Sequence, residues 1–282
     1  MSSEATKLVD GSTRILGIVG HPIAQVRAPE VWSAMFRLHR LNYLCIPFHV
    51  LPGDLPAFFA GARTMRNLCG LIVTIPHKPA AVGYVDALTD RARLVQSVNF
   101  VAVSDGKWTG DIVDGLGFVG NLRAHGVEPR GRRALLVGAG GVGTAIAFAL
   151  GEAGVADLAI YDTDEVRARN LAARVGATGA AARFASPDPA GFELVVNATP
   201  VGMRPEDPLP IEAARIDRGA VVADVIVKPT RLVEAAAARG CRTFIGTGMM
   251  EHQLEPMAGP LGLGAFDFSA PTVSRVARQI GS

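Results

Sequence analysis

The chain has 282 residues, 49% hydrophobic and 19% charged, with a formal net charge of +2. That composition supports two sizeable cores and excludes a disordered polymer. The signs are nearly balanced and no long basic run occurs, so nucleic acid and anionic membrane have no support as partners.

Residues 1–20 carry Glu4, Lys7, Asp10 and Arg14 and lack an apolar signal core, which predicts a cytoplasmic location. A strand over Ile15 to Val19, a turn at Gly20-His21-Pro22 and a helix from Pro29 to about Arg40 come first. A β-rich run follows at Tyr43 to Val50, then a helical stretch from Pro52 to Arg63. The apolar strand Gly70 to Ile75 stops at Pro76, and Asn99 to Val103 pairs with Lys107-Trp108 around an Asp105-Gly106 turn.

From Arg133 the alternation becomes regular. Strands at Ala134 to Val137, Asp157 to Tyr161, Phe192 to Asn197, Ala220 to Val227 and Arg242 to Ile245 read as fully buried. Helices at Val142 to Ala153 and Asp164 to Val175 separate the first of them. Serial βαβ units imply a parallel, doubly wound sheet, so the class is α/β with two domains. The Ala/Gly-rich run 176–183 reads as a surface loop, and Met249 to Gln279 as largely helical.

Residues 134–150 are 17 uncharged positions, close to the lower limit for a membrane span. Their four glycines suit a strand, tight turn and helix instead. Gly138-Ala139-Gly140-Gly141-Val142-Gly143 fits GxGxxG, the dinucleotide-binding pattern, with a strand before it and a helix after it. Gly138 permits the turn, Gly140 lets backbone approach a pyrophosphate, and Gly143 lets helix and strand pack closely. The N–H groups opening the helix then face the phosphates. Asp162 lies 24 positions after Gly138, where a carboxylate can hold ribose hydroxyls and repel a 2′-phosphate. NAD is therefore expected in preference to NADP, and Arg167 and Arg169 are not assigned to a phosphate.

Several ordered segments together resemble the shikimate/quinate dehydrogenase family, from about residue 15 to residue 255. They are Gly17-Ile18-Val19-Gly20-His21-Pro22-Ile23 with Pro29; Val73-Thr74-Ile75-Pro76-His77-Lys78; Ser97-Val98-Asn99; and Gly110 to Gly115 with Gly117-Phe118. Beyond the glycine turn come Asn197 to Met203, Asp224 with Pro229-Thr230, and Gly248-Met249 with Gln253. The resemblance implies a substrate domain (1–115 with 250–282), a Rossmann-like cofactor domain (116–249), and an active site in the cleft they form.

It also implies a catalytic pair, Lys78 and Asp114. Hydride removal from a carbinol carbon requires its hydroxyl proton to leave, and a Lys whose pKa is lowered by burial can accept it. Asp114 would hydrogen-bond lysine and substrate hydroxyl, while the nicotinamide does the redox work. Thr74, Asn99 and Gln253 match the family's contacts to ring hydroxyls. Thr199, Pro200, Val201, Met203, Val225 and Gly248 match positions along the cofactor.

Five positions depart from the family pattern: Val26 and Ala28 replace the two serines that hold a substrate carboxylate. Ile72 replaces an Asn, Phe100 a Thr and Val227 a Tyr. Each change removes a hydrogen-bonding group, and such bonds to a charged group contribute roughly 1.5–3 kcal/mol apiece. The expected substrate is thus a cyclic secondary alcohol or ketone less polar at this end than shikimate or quinate. Gln25 or Arg27 offers a replacement anion contact. An ordinary NAD-linked shikimate or quinate dehydrogenase is the alternative, and a non-catalytic NAD-binding paralogue a second; retention of both Lys78 and Asp114 weighs against the latter.

No metal is expected, because His21, His77 and His252 occur singly. Cys45, Cys69 and Cys241 lie far apart and read as reduced, partly buried thiols. The partner is a small-molecule substrate, and the chain a monomer or homodimer.

Overall fold

The computed structural model describes residues 9–280, so Glu4 and Lys7, used above for the missing signal core, lie outside the described residues. In chain order, β1 (Arg14–Gly20), α1 (Ala28–Leu38), β2 (Tyr43–His49), α2 (Leu55–Ala62) and β3 (Leu68–Val73) come first. Next are β4 (Ala87–Leu88), α3 (Asp90–Val95), β5 (Phe100–Ser104), β6 (Lys107–Asp111) and α4 (Asp114–Ala124). Then follow β7 (Arg133–Val137), α5 (Gly141–Glu152), β8 (Asp157–Tyr161), α6 (Glu165–Gly176), β9 (Ala182–Phe184) and β10 (Leu194–Asn197). The last are β11 (Val221–Asp224), α7 (Arg231–Ala238), β12 (Arg242–Phe244), α8 (Gly246–Glu251), α9 (Leu254–Ala258) and α10 (Ala270–Ile280).

These elements divide into two compact units. The first runs to Ile112 and includes the chain from Leu254 onward; the second is Val113–Gln253.

The first unit holds a mixed sheet in the order β2-β1-β3-β5-β6-β4. β3 is buried at all six positions because it lies between parallel β1 and antiparallel β5. The β5–β6 hairpin turns on Asp105 (φ 50°) and Gly106 (φ 78°), two consecutive left-handed residues, as Asp-Gly requires in a tight hairpin. α1 starts with a proline in its first turn and buries Val31, Trp32, Met35 and Phe36 at helical spacing. Against it lies α10, whose Val273, Val276 and Ala277 are buried, and the Phe268 ring ahead of it packs at a tilt, its centroid 5.2 Å from that of Trp32.

The second unit is a wholly parallel sheet, β12-β11-β10-β7-β8-β9. From β7 the chain winds one way to β8 and β9, then crosses back to β10 and winds the other way. The carboxyl ends of β7 and β10 therefore flank the switch point, where ligands bind in such sheets. Along β7, Ala134 and Leu136 enter one core and Leu135 and Val137 the other. Burial on both faces is why the strand reads as an unbroken apolar run.

The 17 uncharged positions resolve into β7, the glycine turn and most of α5, and no helix among the described residues is long and apolar enough to cross a membrane. Three expectations need correction. The run 176–183 is not only a loop: it leads into β9, which pairs with β8 through Leu158↔Ala182. The C-terminal stretch is three short helices with a non-helical segment between α9 and α10. The strand expected to reach Val227 ends at Asp224.

Candidate functional site

The glycine turn has the form its pattern demands. Gly138 sits at φ +106°, and a Cβ there would lie 2.9 Å from Ala198 backbone. Gly143 is more constrained: a Cβ would stand 1.9 Å from the Gly138 carbonyl oxygen. Around Gly140, by contrast, a Cβ would meet nothing within 4 Å, so the backbone is open on the side where a pyrophosphate approaches. Gly140 caps α5, and the opening amides of Gly141, Val142 and Gly143 carry the positive end of the helix dipole. A dinucleotide phosphate fits this cradle.

Asp162 does something other than expected. Its Oδ2 accepts the Ala139 N–H at 2.7 Å and its Oδ1 the Asp164 N–H at 2.9 Å. Arg167 lies 3.9 Å from Asp162 and 3.3 Å from Asp164. The carboxylate is thus a tether of the glycine turn, partly neutralised by a guanidinium. Arg167 also lines a cavity of about 340 Å³ beside the turn, with Ala139, Thr144, Asn170 and Arg174.

The segment after β10 continues the same unit. Ala198 N–H donates to Val137 O at 2.7 Å, placing Ala198 and Thr199 beside the Gly138 turn, with Pro200 and Val201 following them. Met203 and Val227 are exposed, and Val225 is half-buried. Gly248 has a local explanation: a Cβ would fall 2.4 Å from Asn121 Oδ1, so glycine lets α8 approach α4. Gly117 serves the same packing, since a Cβ would be 2.4 Å from Met249 O and 2.7 Å from Gln253 Cγ. One turn before it on α4, Asp114 is buried and its Oδ1 accepts from Gln253 Nε2 at 3.3 Å. The close helix contact therefore delivers Gln253 to Asp114.

In the first unit, Lys78 follows β3 and is 8% exposed, its carbonyl accepting the Val98 N–H at 2.9 Å. That bond ties the lysine's segment to Ser97-Val98-Asn99, and Asn99 is in turn held by its N–H to Asp111 O at 2.9 Å. Thr74 N–H bonds Val19 O at 2.9 Å at the end of β1. Lys78, Asn99 and Thr74 thus gather at the ends of β3, β5 and β1. His77 is enclosed, with its ring Nε2 2.8 Å from Val50 O.

Val26 and Ala28 are half-buried, and Ala28 opens α1. Gln25 spends its amide on Pro22 O at 2.9 Å, and Arg27 faces Glu30 at 3.7 Å. Ile72 and Phe100 are directly paired across β3 and β5. Phe100 is fully enclosed, so its ring packs the sheet and has no surface to offer a substrate; that expectation is corrected.

Two arrangements went unread in the sequence. Buried Asp111 accepts from Thr89 Oγ1 at 2.6 Å, from Arg91 Nε at 2.7 Å and Nη2, and from its neighbour Ile112 N–H at 2.8 Å. His21 Nδ1 and His49 Nε2 are 2.8 Å apart at the ends of β1 and β2. The second pair is separated by 28 positions, a distance at which no local pattern reveals a partner. The three cysteines are free and buried; burial pushes the Cys69 thiol up to about 11 and the Cys45 thiol higher still.

Comparison with known proteins extends across both units. Residues 18–101 match the shikimate dehydrogenase substrate binding domain, and residues 130–183 match the ThiF family. A shikimate dehydrogenase (NADP(+)) of Rubrobacter xylanophilus is 38% identical over 254 residues, 87% of this chain and 89% of that protein. Its counterpart in Acidiphilium cryptum is 37% identical, covering 88% and 90%. Among solved structures, 5-ketofructose reductase of a Gluconobacter strain superimposes with a TM-score of 0.83 at 28% identity, over 95% of this chain and 99% of that one. The relatives named for NADP(+) overturn the NAD preference drawn from Asp162, and the tethered carboxylate supplies the physical reason.

Proposed function

Because this chain belongs to the shikimate dehydrogenase family of oxidoreductases acting on CH–OH donors, we propose that it interconverts shikimate and the corresponding ketone with NADP. The observation that carries this reading is similarity over nearly nine-tenths of the chain to enzymes named for that substrate and cofactor.

NADP+, when bound, supplies the hydride acceptor. The remaining work belongs to this chain. Lys78 Nζ takes the proton of the reacting hydroxyl as the carbinol carbon gives up its hydride, and returns it in the reductive direction. Asp114, held by Gln253, supplies the carboxylate of the proposed catalytic pair. Asn99 and Thr74 hold ring hydroxyls. The α5 N-terminus takes the pyrophosphate, and Arg167 is the cation for the adenosine 2′-phosphate.

A second reading, a neutral polyol ketone in place of a hydroxy acid, is favoured by one local observation. Val26 and Ala28 offer no side-chain donor, and the Gln25 amide is committed to Pro22 O. The Gluconobacter relative is named for such a ketone.

Steady-state kinetics with NADP(H) on shikimate, quinate and 5-ketofructose tests both. Shikimate is expected to have the highest kcat/KM, and Lys78→Ala to lower its kcat by about 10²–10⁴-fold with the fold intact. Preference for 5-ketofructose establishes the second reading. Cofactor binding without turnover of any of the three removes both.

A further inference from the structure

Asp224 lies at the end of β11 and is 3% exposed, yet no step above uses it. Its Oδ2 accepts from Asn197 Nδ2 at 3.1 Å and from Thr230 Oγ1 at 2.8 Å, and its Oδ1 from Ile226 N–H at 3.0 Å. Asn197 stands opposite it in register on β10. The other side of that amide faces the loop: Asn197 Oδ1 accepts the Thr199 N–H at 3.1 Å and hydroxyl at 2.7 Å, and Nδ2 also donates to Val201 O at 3.1 Å. The Thr199 hydroxyl oxygen then accepts the Val201 N–H at 3.1 Å. Thr230 in turn caps α7, accepting the Val233 N–H at 3.4 Å. The loop's opposite edge abuts the glycine turn, where a Gly138 Cβ would touch Ala198 and Thr199 at 2.9 Å.

We propose that Asp224 is a positioning residue for cofactor binding, holding the loop Ala198–Met203 against the glycine turn through Asn197. The inference rests on the reading above that this loop contacts the dinucleotide. Three donors converge on the two carboxylate oxygens, and an amide cannot accept all three. With its oxygen toward Asn197 Nδ2 and the Thr230 hydroxyl its NH2 opposes the Ile226 N–H, and turned over its NH2 opposes Asn197 Nδ2, so either way the charge that strengthens the bonds is lost. Enclosing a carboxylate is costly, and burial raises the Asp224 pKa despite the three donors. A core that needed only packing there is served better by an apolar residue.

The test is Asp224→Asn in the full chain, read by hydrogen exchange and by NADPH binding through nicotinamide fluorescence. The amides of Thr199 and Val201 are expected to exchange about tenfold faster or more, and NADPH to bind about tenfold more weakly, the effect of losing a charge-assisted bond. The KM for the alcohol measured at saturating cofactor moves less than twofold. Unchanged exchange at both amides, or unchanged NADPH affinity in a folded variant, overturns the proposal. Wild-type protein that binds no NADPH instead defeats the functional reading, while the exchange measurement still decides the loop. Should D224N fail to fold, Thr230→Val, which deletes one donor, carries the same two readouts with smaller expected changes and the same overturning result.

Discussion

The Asp162 carboxylate accepts the Ala139 N–H at 2.7 Å, joining the end of β8 to the turn that follows β7. A group whose position in the sequence matches a ribose ligand therefore holds backbone. Asp162→Ala should loosen the turn and weaken NADPH binding by about 10–100-fold, the equivalent of a charge-assisted hydrogen bond. Fluorescence titration checks this. Affinity that rises instead means that repulsion of the 2′-phosphate by the carboxylate outweighs the tether.

Gly143 admits no side chain, because a Cβ would stand 1.9 Å from the Gly138 carbonyl oxygen. Gly143→Ala should open the turn, lower the thermal midpoint and abolish dinucleotide binding. Gly140→Ala, where a Cβ meets nothing, should leave the midpoint unchanged while still impeding the phosphate. Equal midpoints for the two variants would contradict this account.

Asp114→Asn retains an oxygen for Gln253 but loses the charge on α4's first turn. The expected outcome is a fall in kcat of about 10²–10⁴-fold with little change in thermal midpoint. A variant with near-wild-type turnover removes Asp114 from the chemistry.

Asp111 joins the end of β6 to the start of α3 through Thr89 and Arg91. Asp111→Ala leaves those donors without their acceptor. Breaking a buried ion pair costs about 3–5 kcal/mol, and the low end applies because Arg91 is 43% exposed. Denaturant unfolding measures it.

Asp267, hydrogen-bonded by the Ser269 and Thr272 side chains and the Ser269 N–H ahead of α10, has its pKa lowered to about 2. A depressed carboxylate contributes stability that is full above its unfolded pKa of about 3.9 and is lost as pH falls through the folded value. Wild type should therefore exceed Asp267→Asn in urea midpoint at pH 6, and the gap should close between about pH 4 and pH 2. A gap that persists at pH 2 would show the effect is not titration of this group.

Much of the fold was legible because its signals are local. The buried strands of the second unit announce themselves as apolar runs, and the Asp105-Gly106 hairpin as a dipeptide that tolerates two left-handed residues. β9 and α3 were missed for the opposite reason. β9 is three residues whose strand character comes from pairing with β8, and α3 is six residues fixed by the Thr89 cap.

By itself the sequence determined the α/β alternation, the glycine turn, and which side chains stand at the positions of a proton-transfer chemistry. Those depend on backbone demands within a few residues. Only the tertiary structure decided that Asp162 grips Ala139, that Phe100 is sealed in the sheet, that Gly117 brings Gln253 to Asp114, and that Asp224 holds Asn197. Each of these partnerships joins groups far apart in the chain, and a hydrogen bond's owner is chosen by distance and direction in space, which residue order does not encode.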